Sequence, residues 1–288
     1  MSIALHSRKV CPVGLAFLEQ LCSLAAGYQK RVMVSTVFGT LLDSATGALG
    51  HLPVFDLEQL HLQSDIDLII SLGGDGTFLE TIHYLKDHAI PLLGIHTGNL
   101  GFLTRVTQRE AIDGLVGFFE GDYTLETRSL LALYGSDGPV SFALNEVALL
   151  KRDRANLLTI DAYIDEQFIT TYRADGLIVA TPTGSTAYSL SCSGPIVLAS
   201  SNSFVITPIS PHNLALRPLV VPDTALLRFV VRSQEILVST DGRAMPMATH
   251  QPLVVKKAPF TLKLVQFGHA TIFDVLREKL YWGLDARR

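Results

Sequence analysis

Apolar residues fall along this chain in two textures. Up to about Gly121, short apolar runs alternate with stretches of helical spacing. Ile3-Ala4-Leu5 predicts a short strand, Val13 to Ala26 a helix closed by Gly27, and Arg31 to Thr36 a second strand. Asp56 to Leu60 offers a helix start. Ile69-Ile70-Ser71-Leu72 has the length and β-branching of a buried strand, and Thr77 to Lys86 then spaces its apolar residues as a helix does. Leu92 to Ile95 reads as a strand, and Gln108 to Glu120 as a helix ended by Gly121. Such alternation predicts an open, mostly parallel sheet with helices on its faces.

Beyond Gly121 the runs shorten. Leu130 to Tyr134, Ser141 to Leu150, Leu157 to Ile164, Phe168 to Tyr172 and Leu177 to Ala180 are strand-like, with Asp165-Glu166 as a hairpin turn. Phe204 to Thr207, Leu226 to Val231, Glu235 to Ser239, Leu253 to Lys256 and Thr261 to Val265 follow. Only Thr186 to Ser200 reads as a helix among them. The expected organisation is an α/β, Rossmann-like domain over residues 1–122 and an all-β, sandwich-like domain over 123–265. The segment 266–288, with an amphipathic helix over Phe273 to Trp282, is expected to return to the first domain.

Composition narrows the class. A chain of 288 residues with 48% hydrophobic and 17% charged residues can bury two cores. No apolar run reaches the length of a membrane span, and Ser2 to Pro12 lacks a signal-peptide core. Cys11, Cys22 and Cys192 are too few and scattered for a disulfide framework or zinc site, so a reducing cytoplasm is expected. The histidines His51, His61, His83 and His88 lack the spacing of a helix-face metal pair. A net charge of −4 argues against a general nucleic-acid binder.

Chemistry gathers first at Leu72-Gly73-Gly74-Asp75-Gly76-Thr77, where a strand, a glycine turn and a helix start make a phosphate cradle. No lysine follows the glycines, so the Walker pattern is absent. Asp75 sits mid-turn instead. A carboxylate beside phosphate repels it unless it holds a metal or takes a proton, which suggests a kinase loop in which Asp75 activates a hydroxyl. Gly-Gly-Asp-Gly is equally a good plain turn. Asn145-Glu146, adjacent polar groups in an apolar strand, suit a ribose diol or a strand end facing water. Arg173 and Asp175 suit a phosphate and an amide, or an ordinary surface pair. Thr181 to Ser189 leaves a strand and enters a helix with five hydroxyls in a short span, a second anion or nucleotide site with Tyr188 free to stack on a base. His212 and Arg217, near a proline-rigid loop, are ligands or structural groups.

These stretches, with Gly94-Ile95-His96-Thr97-Gly98-Asn99-Leu100-Gly101-Phe102-Leu103, come in the order and spacing of the NAD kinases. The resemblance spans about residues 67 to 245. Gly-Gly-Asp-Gly alone is shared with phosphofructokinases and lipid kinases, whereas the Thr-Pro-Thr-Gly-Ser-Thr-Ala-Tyr-Ser stretch is more particular. The resemblance implies an active site between the two domains, a homodimer or homotetramer, and ATP-dependent phosphorylation of the adenosine 2′-hydroxyl of NAD with magnesium or another divalent cation. It implies Asp75 as base, and Gly73, Gly74, Gly76 and Thr77 around the donor phosphates. Asp75, Gly76, Phe102, Asn145, Glu146, Asn156, Arg173, Asp175, Thr186, Ala187, Tyr188, Ser189 and Ser191 would contact NAD, Arg173 influencing the choice of oxidised over reduced dinucleotide. No metal ligand is assigned. His96-Thr97 and Arg243 depart from the commonest family pattern, which leaves Arg243 outside the expected site. The rivals are a lipid or sugar kinase, against which the chain shows no obvious bilayer-facing segment, and a non-catalytic NAD-binding module, which would not need Asp75. Neither nucleic acid nor a membrane is expected as a partner.

Overall fold

The computed structural model describes residues 2–9, 12–46, 52–62, 65–85, 87–98, 100–135, 138–152, 156–233, 235–267 and 271–282; Cys11, His51, Lys86 and Asn99 lie outside these. The chain divides into two compact units, Met1–Thr127 with Leu262–Arg288, and Arg128–Thr261.

In the first unit, β1 (Ser2–Ser7), α1 (Pro12–Gly27), β2 (Arg31–Ser35), α2 (Thr36–Thr46), β3 (Val54–Phe55), β4 (Ile66–Leu72), α3 (Asp75–Leu85), β5 (Leu92–Ile95) and α4 (Gln108–Glu120) alternate as the apolar pattern predicts. The strands lie in the order β3-β2-β1-β4-β5 and all pair in parallel. Both faces are covered, so β1 is buried along its whole length and reads as an unbroken apolar run apart from its serines and His6. Phe17, Leu18, Leu21 and Ala25 of α1 and Phe38 and Leu42 of α2 pack with Ile3, Leu5, Leu68 and Ile70 into one core. α2 is absent from the sequence expectation because Thr36, Val37, Gly39 and Thr40 are poor helix formers. Burial of its Phe38 and Leu42 overrides that preference. α4 ends at Gly121 in the left-handed conformation, φ 83°.

Three strands begin and carry the second unit: β6 (Thr124–Gly135), β7 (Gly138–Ala143) and β8 (Glu146–Leu150). They are followed by β9 (Leu158–Ile164), β10 (Gln167–Ala174), β11 (Gly176–Ala180), a one-turn helix α5 (Tyr188–Ser191), β12 (Ser203–Ile209) and β13 (Leu219–Pro222). β14 (Leu227–Val231), β15 (Glu235–Thr240), β16 (Arg243–Ala248), β17 (Leu253–Gln266) and the helix α6 (Ile272–Leu280) complete the chain, α6 belonging to the first unit. One antiparallel sheet runs β13-β12-β11-β8-β15-β16. Against it, β10, β9, β14 and the start of β17 pair antiparallel. The inward residues Val147, Leu149, Leu177, Val179, Phe204 and Ile206 of the first sheet meet Ile160, Ala162, Leu227, Phe229 and Val255 of the second, which makes a sandwich core.

Three expectations are corrected. Ser141 to Leu150 is not one strand: it breaks at Leu144-Asn145 into β7 and β8, which belong to different sheets. Thr186 to Ser200 is not a helix. A 3₁₀ turn over Thr183–Thr186 and the single turn of α5 replace it, because Ser185 and Thr186 hydroxyls bond back to the Pro182 and Thr183 carbonyls, and Ser193 takes φ 64° before Gly194-Pro195. The two expected strands flanking Pro259 are one, β17, with Pro259 inside it.

α3 is fixed by Phe78, which is 1% exposed. Its ring lies so close to β5 that a Cβ on Gly94 would come within 2.8 Å of it. Phe78→Ala is expected to lower unfolding stability by about 3–5 kcal/mol, read as a shift of the urea midpoint.

Candidate active site

In the first unit, the order β3-β2-β1-β4-β5 places a topological switch between β1 and β4. There, beyond the carboxyl ends of the strands, open α/β sheets bind ligands. The loop that leaves β4 is Gly73-Gly74, and α3 starts at Asp75. Gly73 has φ 156° and donates its N–H to Ile95 O at 2.9 Å; a Cβ here would meet Thr77 Oγ1 at 2.6 Å. Gly74 O accepts from Thr77 and Phe78 N–H groups at 3.0 and 3.2 Å, which makes it the cap residue. The Asp75 and Gly76 N–H groups then lie in the first turn, where no intrahelical carbonyl reaches them, and Gly74 and Gly76 are exposed with open space around them. Backbone donors, absent side chains and the positive helix end together form an anion cradle.

Asp75 is half-buried, and its carboxylate is held by the segment that follows β5. Its Oδ2 accepts the Phe102 N–H at 2.9 Å. Its Oδ1 accepts the Leu103 N–H, the Thr104 N–H and the Thr104 hydroxyl, each at 3.1 Å. A carboxylate has about four lone-pair positions, two to an oxygen, so Oδ2 keeps one free. Gly101 permits the arrangement, since a Cβ there would lie 2.1 Å from Asp75 Oδ1. The first unit thus brings Gly73, Gly74, Asp75, Gly76, Thr77 and Phe102 to one place.

In the second unit, the break between β7 and β8 has a specific cause. Asp241, in the β15–β16 turn, accepts the Leu144 N–H on Oδ2 at 2.7 Å, and those of Asn145 and Glu146 on Oδ1 at 2.7 and 3.1 Å. Asp241 and Gly242 take φ 49° and 81°, the tight hairpin that an Asp-Gly pair favours. The Asn145 carbonyl accepts from Thr181 N–H at 2.9 Å, and Gly184 lies so near it that a Cβ would come within 2.0 Å. The backbone of Asn145 and Glu146 is therefore held by the Asp241 carboxylate and Thr181, and the two residues are 8% and 7% exposed. Glu146 Oε2 is buried without a hydrogen-bond partner. Burial first, and the charge of Asp241 second, push the Glu146 carboxyl up to about 7, against a hydrogen bond from the Tyr188 backbone. Burial likewise pushes Asp241 up to about 6, against the three N–H groups it holds.

Tyr188 is 39% exposed, and burial with the fields of Cys192, Glu146 and Asp175 raises its phenol. Asp175 pairs with Lys151 Nζ at 2.5 Å. Glu146, Asp175 and Tyr188 therefore gather, with Thr186 and Ala187 half-buried beside Tyr188 in the chain and Ser191 exposed. The hydroxyl-rich stretch is not the open anion site that its composition suggested. Thr181 donates to Leu144 O at 2.5 Å, Thr183 accepts from Arg128 at 3.1 Å, Ser185 bonds Pro182 O and Val197 N–H, and Ser189 Oγ is 2.8 Å from Thr207 Oγ1. All four are buried. Their hydroxyls build the turn. Arg173 is exposed on β10, and Asn156 is exposed ahead of β9, outside the described contacts of this cluster. His212 donates its backbone N–H to Arg173 O, and Arg217 donates to Leu214 and Leu216 carbonyls, so both tie down their loop.

Residues 56–123 match the ATP-NAD kinase N-terminal domain, and residues 144–267 the ATP-NAD kinase C-terminal domain. This chain belongs to the ATP-NAD kinase family. An NAD kinase of Cytophaga hutchinsonii is 48% identical over 77% of each chain, and one of Porphyromonas gingivalis is 44% identical over 78% of this chain and 80% of its own. Among solved structures, an NAD kinase from Archaeoglobus fulgidus in complex with ATP aligns with TM-score 0.76 at 25% identity, covering 98% of this chain and 99% of that one. Yeast NADH kinase complexed with NADH aligns with TM-score 0.82 at 24% identity, over 100% and 89%, a likeness of fold. As a member of this family the chain phosphorylates NAD to NADP at the expense of ATP.

The sequence expectation gives Asp241, which stands beside Arg243 in the compared stretch, no role of its own; the Asp-Gly pair after an apolar strand is the signal for its turn. Two outcomes test the geometry. Gly101→Ala is expected to displace the Asp75 carboxylate and lower kcat by two or more orders of magnitude, on the order of 3 kcal/mol, in a steady-state assay with the fold retained by circular dichroism. The raised Glu146 carboxyl means that the unfolded chain releases its proton first, so stability falls as pH rises from the ordinary glutamate value to about 7. Glu146→Gln should remove that fall, gaining up to about 3 kcal/mol over the parent at pH 8 relative to pH 4.5 in urea titrations.

Proposed function

We propose that Asp75 is the general base of this NAD kinase reaction, and that the loop before it grips the donor. The observation that carries this reading is the Asp75 carboxylate itself, which three successive backbone N–H groups and one hydroxyl orient while Oδ2 keeps a free lone pair. A ribose 2′-hydroxyl has a pKa far above neutrality and needs a base within hydrogen-bond reach. The proton passes to Oδ2, the 2′-oxygen bonds to the γ-phosphorus, and the bond to the β-phosphate oxygen breaks, leaving ADP. Donation by Phe102, Leu103 and Thr104 fixes Asp75 in place before substrate arrives, so little reorganisation remains for the transition state. The N–H groups of Gly74, Asp75 and Gly76, with Thr77, take the charge of the donor phosphates.

The second unit supplies the dinucleotide contacts in this reading. Asn145 and Glu146 accept ribose hydroxyls, for which the unpartnered Glu146 Oε2 is suited. Asp175, Thr186, Ala187, Tyr188 and Ser191 line the remainder. Ser189 acts from beneath, through its bond to Thr207, and Arg173 and Asn156 contact NAD from exposed positions.

Among the described residues no three of His, Cys, Asp and Glu gather in a metal-holding group. A hydrated divalent ion would therefore be carried mainly by the triphosphate, as magnesium usually is, and no side chain is assigned to it. When bound, the ion would neutralise phosphate charge. Family resemblance supports a homodimer or homotetramer, and the sparse cysteines support the cytoplasm. Among the described residues no helix is long and apolar enough to cross a membrane.

Asp75→Asn, assayed with NAD, ATP and magnesium and NADP as readout, is expected to lose at least three orders of magnitude in kcat, on the order of 4 kcal/mol, while binding NAD nearly as before by calorimetry. Lost binding with turnover kept at saturation would remove Asp75 from the base role.

A further inference from the structure

Two loops leave the switch point of the parallel sheet. One is the glycine cradle after β4. The other follows β1 as Arg8-Lys9, both exposed. Pairing of Ser7 with Leu72 ends the two strands side by side, so Arg8 leaves the sheet level with Gly73. This second turn is built rather than loose. Ser7, 3% exposed, donates its hydroxyl to Lys9 O at 2.8 Å and accepts the Lys9 N–H at 3.3 Å.

Arg8 is also aimed. Its Nε lies 3.2 Å from Glu80 Oε2, on α3 about one and a half turns past Asp75, an ion pair in which Oε2 accepts no hydrogen bond. Beneath them His6 is fully buried, with Nδ1 2.9 Å from Ser35 Oγ. His6 Nε2 stands 3.7 Å from Glu80 Oε2, beyond hydrogen-bond reach. Burial, outweighing the Glu80 charge, holds the His6 ring below its ordinary pKa, so at neutral pH Arg8 is the cation that faces Glu80. The side chain of Arg8 remains 60% exposed while so anchored.

The cradle carries phosphate-binding backbone but no lysine within it, and a triphosphate brings more charge than backbone dipoles offset. We propose that Arg8 is the cation of the donor site, its two terminal nitrogens holding terminal phosphate oxygens of ATP while Nε stays on Glu80. Arginine suits the role because its planar fork can serve a carboxylate and a phosphate at once. This rests on the reading of Gly73 to Thr77 as the donor cradle.

Steady-state kinetics on the full chain, with NAD and magnesium–ATP, test both layers. Arg8→Gln is expected to raise the KM for ATP about tenfold or more and leave the KM for NAD unchanged. Because that change also strips Glu80 of its counter-ion, Arg8→Gln/Glu80→Gln is measured beside it. A donor contact predicts that the KM for ATP stays high in the double variant; its return to the parent value would assign Arg8 a structural role and overturn the proposal. Gly74→Val, whose side chain would enter open space at the cradle, reports on the underlying reading. A raised KM for ATP in Gly74→Val with none in Arg8→Gln overturns Arg8 and keeps the cradle. An unmoved KM for ATP in both overturns the cradle as well.

Discussion

Among the described residues, an aspartate captures three consecutive backbone N–H groups twice, once in each unit, and each capture fixes a stretch of candidate site residues. Asp75 takes those of Phe102, Leu103 and Thr104; Asp241 takes those of Leu144, Asn145 and Glu146. Three successive donors in an extended segment can converge on one carboxylate only where the strand breaks, since strand N–H groups point alternately to either side. The carboxylate therefore terminates a strand or fixes a loop, and the loop in turn fixes the carboxylate. Charge-assisted hydrogen bonds are among the stronger ones available, which lets each aspartate remain partly out of water.

The two captures serve different ends. Asp75 is half-buried at a helix start and retains an open position on one oxygen, the geometry on which the base role proposed for it rests. Asp241, also half-buried, holds Asn145 and Glu146 instead. Its negative charge also falls on Glu146, which adds to the desolvation that raises that carboxyl. A glutamate whose Oε2 has no partner in a buried setting is unfavourable for folding alone, and ligand hydroxyls would relieve it. Local strain of this kind is tolerated because the sandwich core around Val147, Leu149, Leu177 and Val179 is continuous beneath it.

Glycine governs how closely these parts approach. Gly101 admits the Asp75 carboxylate, Gly184 admits the Asn145 carbonyl, and Gly94 admits the Phe78 ring. Each contact lies at a distance where a Cβ would collide, so these are positions at which geometry demands the residue. The hydroxyls of Thr181, Thr183, Ser185 and Ser189 play a matching internal part: they satisfy the backbone of an irregular turn that a regular helix would have satisfied by itself.

Periodicity and composition by themselves determined the alternating strands and helices of the first unit, the strand-rich second unit, and the position of the cradle before α3. Those features follow from burial on one face or two, which repeats at a fixed interval and leaves its record in neighbouring residues. The order and spacing of the polar stretches were enough to indicate the family. Only the tertiary structure decided that Ser141 to Leu150 divides between two sheets, that Thr186 to Ser200 declines to form a helix, and that the clustered hydroxyls face inward. It alone paired Asp75 with Phe102 to Thr104, and Asp241 with Leu144 to Glu146, across 27 to 29 and 95 to 97 residues of chain. A hydrogen bond between residues so far apart leaves no periodic trace, because its partners are chosen by where the sheets end and not by what stands beside them in sequence.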